Sequence, residues 1–317
     1  MTDTKLGVLL WNQATGWPEY AAAARKIDEL GYDSLWSWDH LYAIFGDPYQ
    51  DIFEGYTTLA GWAPVTKRVK LGLLVGANTF RNPGVVAKAI TTIDHISGGR
   101  AICGLGGAWM EPEHTATGIE FFSGFGERLD RLDQAVAVLR AALDGESVTS
   151  PGGSVYTFKD FVVLPKPVQA HLPIMIGGSG EKKTLRTVAK YADQWNGMGP
   201  LDFLAHKVEV LKQHCDAVGR DVSAIEFTAG CKPIIRNSEA EARRVWEAQM
   251  AHNRTPMSDV LDDSTFWVGT PDLVAERMLE RKALGFHTFL AELAAPFDDE
   301  TIERWINEVR PMVDRAA

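Results

Sequence analysis

Two acid–imidazole pairs are the residues of this chain best suited to chemistry. Asp39 and His40 follow directly after a run of mostly apolar residues at 34–38, and Glu113 and His114 come shortly after a later run. Histidine exchanges protons near neutral pH, and a carboxylate beside it can orient the ring. The pairs predict acid–base catalysis with His40, Asp39 and Glu113 as catalytic candidates, although a lone pair of this kind also occurs in proteins that catalyse nothing.

Two glycine-rich segments are candidates for binding a phosphate group. Residues 104–109 (GLGGAW) lack the third glycine of a dinucleotide fingerprint, and residues 177–184 (GGSGEKKT) lack the glycine that a P-loop places before its lysine. The second segment still combines a strand end, a glycine turn and a helix start, which together offer backbone N–H groups to an anion. We therefore predict phosphate binding at residues 177–180, helped by Lys182 and Lys183, with a purely structural turn as the alternative.

Aromatic residues are concentrated near the predicted strand ends. The stretch 40–56 is longer than an ordinary connection between a strand and a helix and is rich in aromatic and acidic residues, which predicts a pocket wall. Trp11, Tyr42 and Trp109 are the candidate substrate-pocket residues, although aromatic side chains at such positions as often belong to the core or to a dimer interface. Six other histidines are expected in surface or packing roles: His95, His171, His206, His214, His252 and His287.

The elements that must position these residues alternate along the chain. Short, continuously apolar runs are typical of parallel strands buried on both faces. Such runs occur at residues 5–10, 34–38, 69–75, 101–105, 174–176, 194–198, 225–229 and 288–293. Amphipathic helix patterns occur at residues 18–30, 85–96, 127–143, 182–191, 203–218, 238–252, 271–284 and 299–313. With no linker between them, these elements predict the α/β class: a single (β/α)8 TIM barrel over residues 1–317, with insertions in its βα loops and a hairpin at about residues 145–169.

Composition excludes several classes of function. The chain of 317 residues has 42 acidic and 32 basic residues and a formal charge of −10, which disfavours a nucleic-acid partner. Its 3 cysteines are far apart and show no paired ligand spacing, so we expect no disulfide, no bound metal and a cytoplasmic location. No stretch approaches the ~20 apolar residues that cross a bilayer, so we expect no membrane association and no signal peptide.

Several segments, taken in order, resemble the bacterial luciferase-like family of flavin and deazaflavin oxidoreductases. They are WSWDH at 36–40, VGANTFRNPGVVAK at 75–88, TIDHISGGRAICGLGGAWMEPEHTATG at 92–118, LPKPVQ at 164–169 and PIMIGGSGEKKTLRTVAKYADQWN at 173–196. The Asp-His pair and the TFRNP segment look most like the branch that uses the deazaflavin coenzyme F420. The resemblance implies a barrel with the cofactor across its C-terminal mouth, a small-molecule substrate and a homodimer.

The resemblance also implies roles for individual residues. His40 matches a proton donor or acceptor on the substrate side, and we expect Asp39 to orient it. Residues 74–76 match a bulge, often containing a non-proline cis peptide bond, that supports the back of the cofactor ring. Glu113 matches a wall along the polar edge of that ring. The cofactor-binding residues implied in this way are Asp39, Leu74, Val75, Gly76, Gly106, Gly107, Ala108, Glu113, Ile176, Gly177, Gly178, Ser179, Gly180, Trp195 and Asn196.

One position departs from the family pattern. Relatives that oxidise a phosphorylated sugar carry an acid where this chain has Trp109, so we expect a more apolar substrate. The leading hypothesis is an F420-dependent oxidoreductase that transfers a hydride between the deazaflavin and a small organic substrate. The alternative is an FMN-dependent monooxygenase supplied with reduced flavin by a separate reductase, because the same barrel binds both cofactors. A barrel that binds a ligand without converting it is the third hypothesis.

Overall fold

Parallel strands form a closed barrel at the centre of the structure. The computed structural model describes residues 4–316. The strands are β1 (Lys5–Leu10), β2 (Ser34–Ser37), β3 (Lys70–Leu73), β4 (Gly76–Ala77), β5 (Ala101–Gly106), β6 (Ile174–Gly177), β7 (Gln194–Gly197), β8 (Glu226–Ile235), β9 (Phe266–Gly269) and β10 (Phe286–Leu293). The barrel closes because β10 pairs with both β1 and β8, with Leu6 opposite Phe289 and Cys231 opposite Ala291. Two of the ten strands lie outside this ring, because β4 pairs only with β5, and β9 pairs with the outer end of β8. The other eight strands form the closed barrel, which confirms the predicted (β/α)8 TIM barrel.

Helices surround the barrel and connect its strands. They are α1 (Trp17–Leu30), α2 (Gly55–Trp62), α3 (Pro83–Ser97), α4 (Glu111–Thr117), α5 (Phe125–Leu143), α6 (Thr184–Tyr191), α7 (Leu201–Val218), α8 (Glu239–His252), α9 (Pro271–Lys282), α10 (Asp299–Arg304) and α11 (Arg310–Ala316). Local sequence sets their ends. In α3, the Asn82 side chain accepts the Gly84 N–H at 2.8 Å, Pro83 occupies the first turn, and Gly98 ends the helix with φ 71°.

The barrel interior is filled by large apolar side chains from several strands. Leu9, Trp36, Ile102 and Leu290 belong to one buried cluster. Gly72 makes room for the indole of Trp36, because a Cβ at Gly72 would lie 2.4 Å from Trp36 Cζ3. This packing keeps the strand ends in fixed positions, which is what a site built from several loops requires.

Some elements differ from those that the sequence predicts. The helices α2 and α4 and the short strands β4 and β9 have no predicted counterpart. The segment 145–169 contains one antiparallel bridge, in which Val148 and Phe161 exchange two backbone hydrogen bonds of 2.9 Å, and the bridge does not extend into a pair of full strands. The additional elements all lie outside the ring of barrel strands, so they modify the loops that surround the site.

Candidate active site

A cavity of about 400 Å³ opens at the carboxyl ends of the barrel strands. Its volume lies within the usual range for small-molecule sites. Most of the residues implied by the resemblance line it: Asp39, His40, Leu74, Val75, Gly76, Gly106, Gly107, Ala108, Trp109, Glu113, Gly177, Gly178, Ser179, Gly180 and Asn196. The structure therefore brings together residues from the ends of five strands and from α4, although they are up to about half the chain apart in sequence.

His40 is held by a carboxylate from helix α4. Its Nδ1 lies 2.9 Å from Glu113 Oε1, and the Leu41 N–H donates to Glu113 Oε2 at 2.8 Å. Glu113 is 1% exposed and His40 is partly exposed in the cavity. Because both glutamate oxygens face nitrogen donors, the arrangement favours a proton on Nδ1 and leaves Nε2 for a ligand. Trp109 packs edge-on against the same imidazole, with ring centroids 5.4 Å apart.

Asp39 does not orient His40, which corrects the expectation from their adjacency. The Asp39 carboxylate instead accepts two hydrogen bonds from Arg81, at 2.7 and 2.9 Å, and one from the Ala77 N–H at 2.8 Å. Burial raises the pKa of Asp39, and the guanidinium and the N–H group oppose that shift. Arg81 also donates to Glu54 at 2.5 Å. Burial alone would lower the pKa of Arg81, but the pairing of its guanidinium with Asp39 and Glu54 raises it. Asp39 thus anchors the backbone of β4, beside the cavity.

The bulge at residues 74–76 is held between glycines. The peptide bond between Leu74 and Val75 is cis, as the resemblance implies. A Cβ at Gly106 would lie 2.6 Å from Val75 Cγ2, and one at Gly177 would lie 2.9 Å from Val75 Cγ1. Real side chains at either position would push Val75 into the cavity, so both glycines are needed for this shape.

The glycine loop after β6 leads into α6, as the sequence predicts. Gly178 has φ +117°, and the N-cap residue of α6, Lys183, makes no side-chain cap hydrogen bond. The Leu185 N–H already donates to the Gly180 carbonyl at 3.0 Å, so only part of the first turn of α6 is open to an anion. Ser179 and Thr184 add hydroxyl groups to the lining. Phosphate binding here stays a prediction.

The neighbouring lysines are placed differently from the expectation. Lys183 Nζ donates to Asp130 at 2.7 Å and to the Gly126 carbonyl at 3.0 Å, so it ties α6 to α5. Lys182 is exposed and does not line the cavity. Neither lysine is therefore placed to help hold an anion in this cavity.

Four of the residues implied at the site lie behind or outside the cavity lining. Ile176 and Trp195 are completely buried, and the Trp195 indole N–H donates to the Gly178 carbonyl at 2.9 Å. Trp11 is buried and stacks on Phe45, which does line the cavity, with centroids 4.3 Å apart. Tyr42 contacts Tyr49 instead. Trp195 and Trp11 therefore support the lining from behind, and Tyr42 takes no part in it.

Sequence reasoning missed three charged residues of the site. Arg81 reaches Asp39 from a loop, while Lys232 and Glu292 enter the cavity from β8 and β10. A charged residue inside an otherwise apolar strand was the signal available for Lys232 and Glu292. Arg81 lies in the TFRNP segment, but its role was not predicted, because its partner Asp39 lies 42 positions earlier.

Metal ligands and membrane-spanning helices are two further features that bear on function. Within residues 4–316, no group of three or more potential ligands from His, Cys, Asp and Glu is placed to hold a metal ion. In the same part of the chain, none of the helices is both long and apolar enough to cross a membrane.

A TIM barrel with a cavity at the carboxyl ends of its strands and an imidazole–carboxylate pair in that cavity has the architecture of an enzyme. The chain belongs to the luciferase-like monooxygenase family, whose model matches residues 4–288. Members of this family are oxidoreductases, among them monooxygenases.

Relatives with two kinds of chemistry share this barrel. The chain is 30% identical over 237 residues to the pyrimidine monooxygenase RutA of Stutzerimonas stutzeri, covering 71% of this chain and 63% of the relative. It is 29% identical over 226 residues to the F420-dependent glucose-6-phosphate dehydrogenase of Amycolatopsis mediterranei, covering 68% and 63%. Its fold is similar to that of an F420-dependent secondary alcohol dehydrogenase solved with an F420-acetone adduct, with a TM-score of 0.83, 19% identity, and coverage of 98% of this chain and 99% of the other.

Proposed function

We propose that this protein is an F420-dependent oxidoreductase that transfers a hydride between the deazaflavin and a small organic substrate. The observation that carries the proposal is the cavity itself, which combines a surface of glycine backbone around Val75 with His40, the one imidazole among the described residues that line it. Hydride chemistry needs little covalent help from protein groups, which have to orient a ring, exclude water and move a proton.

The residues around the bulge fit a planar ring. Val75 projects between Gly106 and Gly177, whose missing side chains leave it packed closely against two strand ends. Packing against both sides fixes Val75, so it offers a firm support for one face of a ring. The glycine loop, with Ser179 and Thr184, would hold the phosphate arm.

Charge favours F420 over FMN at this loop. Among the described residues that line the cavity, Lys232 is the only lysine or arginine, and it already pairs with Asp263 at 3.1 Å. A phosphate monoester such as that of FMN carries a charge of about −1.5 to −2 at neutral pH, whereas the phosphodiester within F420 carries one negative charge, apart from the carboxylates at the far end of its side chain. At the glycine loop itself, N–H and hydroxyl groups suit the smaller charge of the diester.

The chain's own residues supply the proton transfer. When bound, the deazaflavin supplies the carbon that gives or accepts the hydride. His40 Nε2 takes the proton from a substrate hydroxyl during oxidation, or returns it to the carbonyl oxygen during reduction. Glu113 accepts the hydrogen bond from Nδ1 and stabilises the imidazolium that forms when Nε2 is protonated. Trp109, which is itself 62% exposed, packs edge-on against the imidazole and helps to fix the orientation of that ring.

Direct binding measurements test the choice of cofactor. The purified protein is titrated with oxidised and reduced F420 and with oxidised and reduced FMN, and binding is followed by fluorescence and calorimetry. We expect binding of F420 and much weaker binding of FMN. Tight FMN binding with no response to F420 contradicts the proposal and favours a monooxygenase like the RutA relative, supplied by a separate reductase.

We also propose that the enzyme acts as a cytoplasmic homodimer. Large apolar side chains are exposed on α3 and on the segment 145–169, among them Val85, Ile96 and Leu164, and a second subunit would cover such a surface. Light scattering of the purified protein measures the mass in solution, and a monomer at micromolar concentration contradicts the dimer.

A further inference from the structure

Two charged side chains enter the cavity from the strands opposite the bulge. Lys232 lies on β8 and Glu292 on β10, and both line the cavity. Their neighbours Cys231 and Ala291 are register partners in the parallel pairing of these strands, so Lys232 and Glu292 lie side by side one residue further on. The bulge lies at the ends of β3 and β5, on the other side of the closed barrel.

The Lys232 ammonium group is held in place by two hydrogen bonds and has one further N–H donor. It is 5% exposed and donates to Asp263 at 3.1 Å and to Thr265 Oγ1 at 2.7 Å. An ammonium group has three N–H donors. The third has no hydrogen-bond partner among the described residues, although the ammonium group also lies 5.0 Å from the centroid of the Phe266 ring. Because Lys232 lines the cavity, a ligand oxygen can accept from this third donor.

Glu292 presents its carboxyl group to the same space. No side-chain hydrogen bond to it is found within residues 4–316. Burial raises the pKa of Glu292, the nearby Asp263 adds to that shift, and Lys232 opposes it. A protonated carboxyl group is a hydrogen-bond donor, which a neutral oxygen of a ligand can accept.

The distance from Glu292 and Lys232 to His40 sets the size of a ligand that contacts both ends of the cavity. β10 and β2 are separated by β1 alone, and His40 follows the end of β2 by three residues, so Glu292 and His40 come from elements two strand spacings, or about 10 Å, apart. The lining between them is apolar, with Trp38, Phe45 and Met198.

We propose that Glu292 and Lys232 form an oxygen-binding subsite for a carbonyl group of the substrate that is separate from its reacting carbon. The substrate class is then a small organic molecule with an oxygen function at each end and an apolar body between them. This inference rests on the proposed function in assigning the reacting carbon to the His40 end. The subsite itself is a property of the cavity and can be tested without turnover.

The test compares two ligands of the same shape that differ in one oxygen. Binding of cyclohexanone and of methylenecyclohexane to the cofactor-free protein is measured by ligand-observed NMR. We expect the ketone to bind about tenfold more tightly, the effect of one or two good hydrogen bonds. Glu292→Leu should reduce this ratio several-fold and by more than His40→Ala does, because Lys232 and His40 remain as donors in Glu292→Leu. Equal binding of the two ligands to the wild type overturns the proposal.

Two more variants separate hydrogen bonding from packing. Glu292→Gln keeps the shape and an N–H donor, so it should retain most of the ketone preference. The matched control Glu247→Gln changes an exposed glutamate on α8 and should match the wild type. If the preference survives in Glu292→Leu and disappears in His40→Ala, the oxygen binds at His40 and the subsite does not exist.

The dependence on pH gives an independent signature of a donating carboxyl group. Where Glu292 loses its proton as pH rises, the ketone preference of the wild type should fall. The preference in Glu292→Gln should stay flat over the same pH range, because an amide does not titrate. A flat wild-type profile, or an equal fall in Glu292→Gln, shows that Glu292 does not donate. If F420 does not bind, the proposed function is wrong, but the comparison of the two ligands still tests the subsite.

Discussion

The two sides of the cavity are built in different ways. One side, which we call the backbone wall, consists of residues 74–77, 106–108 and 177–180, and glycine provides most of its surface. The other, which we call the side-chain wall, consists of Trp38, His40, Lys232 and Glu292. In the backbone wall each position is fixed by contacts such as that between Gly177 and Val75. In the side-chain wall each position is a side chain that substitution can change without moving a strand.

This difference suggests a division of labour. A wall of tightly packed backbone suits one ligand of constant shape, because almost any added atom deforms it. A wall of side chains suits a ligand that differs between related proteins, because its charge and size follow from single residues. We therefore expect changes in the backbone wall to act on cofactor affinity, and changes in the side-chain wall to act on substrate binding and turnover.

The largest effect is expected in the side-chain wall. His40→Ala removes the group that exchanges the substrate proton, so turnover should fall about 1,000-fold, within the usual contribution of acid–base catalysis. Cofactor affinity should change less than threefold. Both quantities are measured on the same preparation, with a substrate found by screening alcohols and ketones. An unchanged turnover removes His40 from the mechanism, and a parallel loss of cofactor affinity breaks the division between the walls.

The converse effect is expected in the backbone wall. Gly177→Val places methyl groups where even a Cβ would lie 2.9 Å from Val75, so the bulge must shift. Cofactor affinity should fall about 100-fold, equivalent to about 2.7 kcal/mol. The control is Gly152→Val, because Gly152 has open space around its Cβ position. If cofactor binds normally to Gly177→Val while the melting temperature is unchanged, the cofactor does not rest on this wall.

A third change affects the support of the backbone wall from beneath. Asp39→Asn removes the charge that pairs with Arg81 and keeps the shape of the side chain. Asp39 is 2% exposed, so we expect a loss of about 2 kcal/mol in the free energy of unfolding, measured by urea denaturation. The control is Glu247→Gln, which breaks an exposed pair with Arg243 and should cost less than about 0.5 kcal/mol. Equal losses in both variants would show that the buried pair has no special role.

The barrel was predictable because its strands leave a local signal. Each of its strands is buried on both faces, so each reads as an apolar run. Residues 266–269 form β9 against the outer end of β8, and this pairing depends on a long-range contact that no local pattern reveals. Helix α2 follows a long irregular loop, and its Glu54 cap, which accepts the Tyr56 and Thr57 N–H groups, is hidden in an acidic and aromatic stretch.

The site was predictable to a different extent in its two walls. Glycine spacing indicated the backbone wall, because only glycine permits such close approach of strand ends. In the side-chain wall, adjacency in sequence suggested that Asp39 orients His40, whereas the carboxylate that contacts His40 is Glu113, 73 positions away. Adjacent residues at a strand end point in different directions, so the residue next to a side chain in the sequence is a poor guide to the residue that the side chain contacts.

The smallest effect is expected where the two walls meet. Glu113 accepts two hydrogen bonds, from His40 Nδ1 and from the Leu41 N–H. Glu113→Gln keeps the size of the side chain but turns an NH2 group toward one of these donors, so one of the two bonds is lost. Turnover should fall about tenfold, about 1.4 kcal/mol, with the affinity for cofactor within threefold of the wild type. A loss of cofactor affinity as large as the loss of turnover would mean that Glu113 supports the shape of the cavity and does not act through His40.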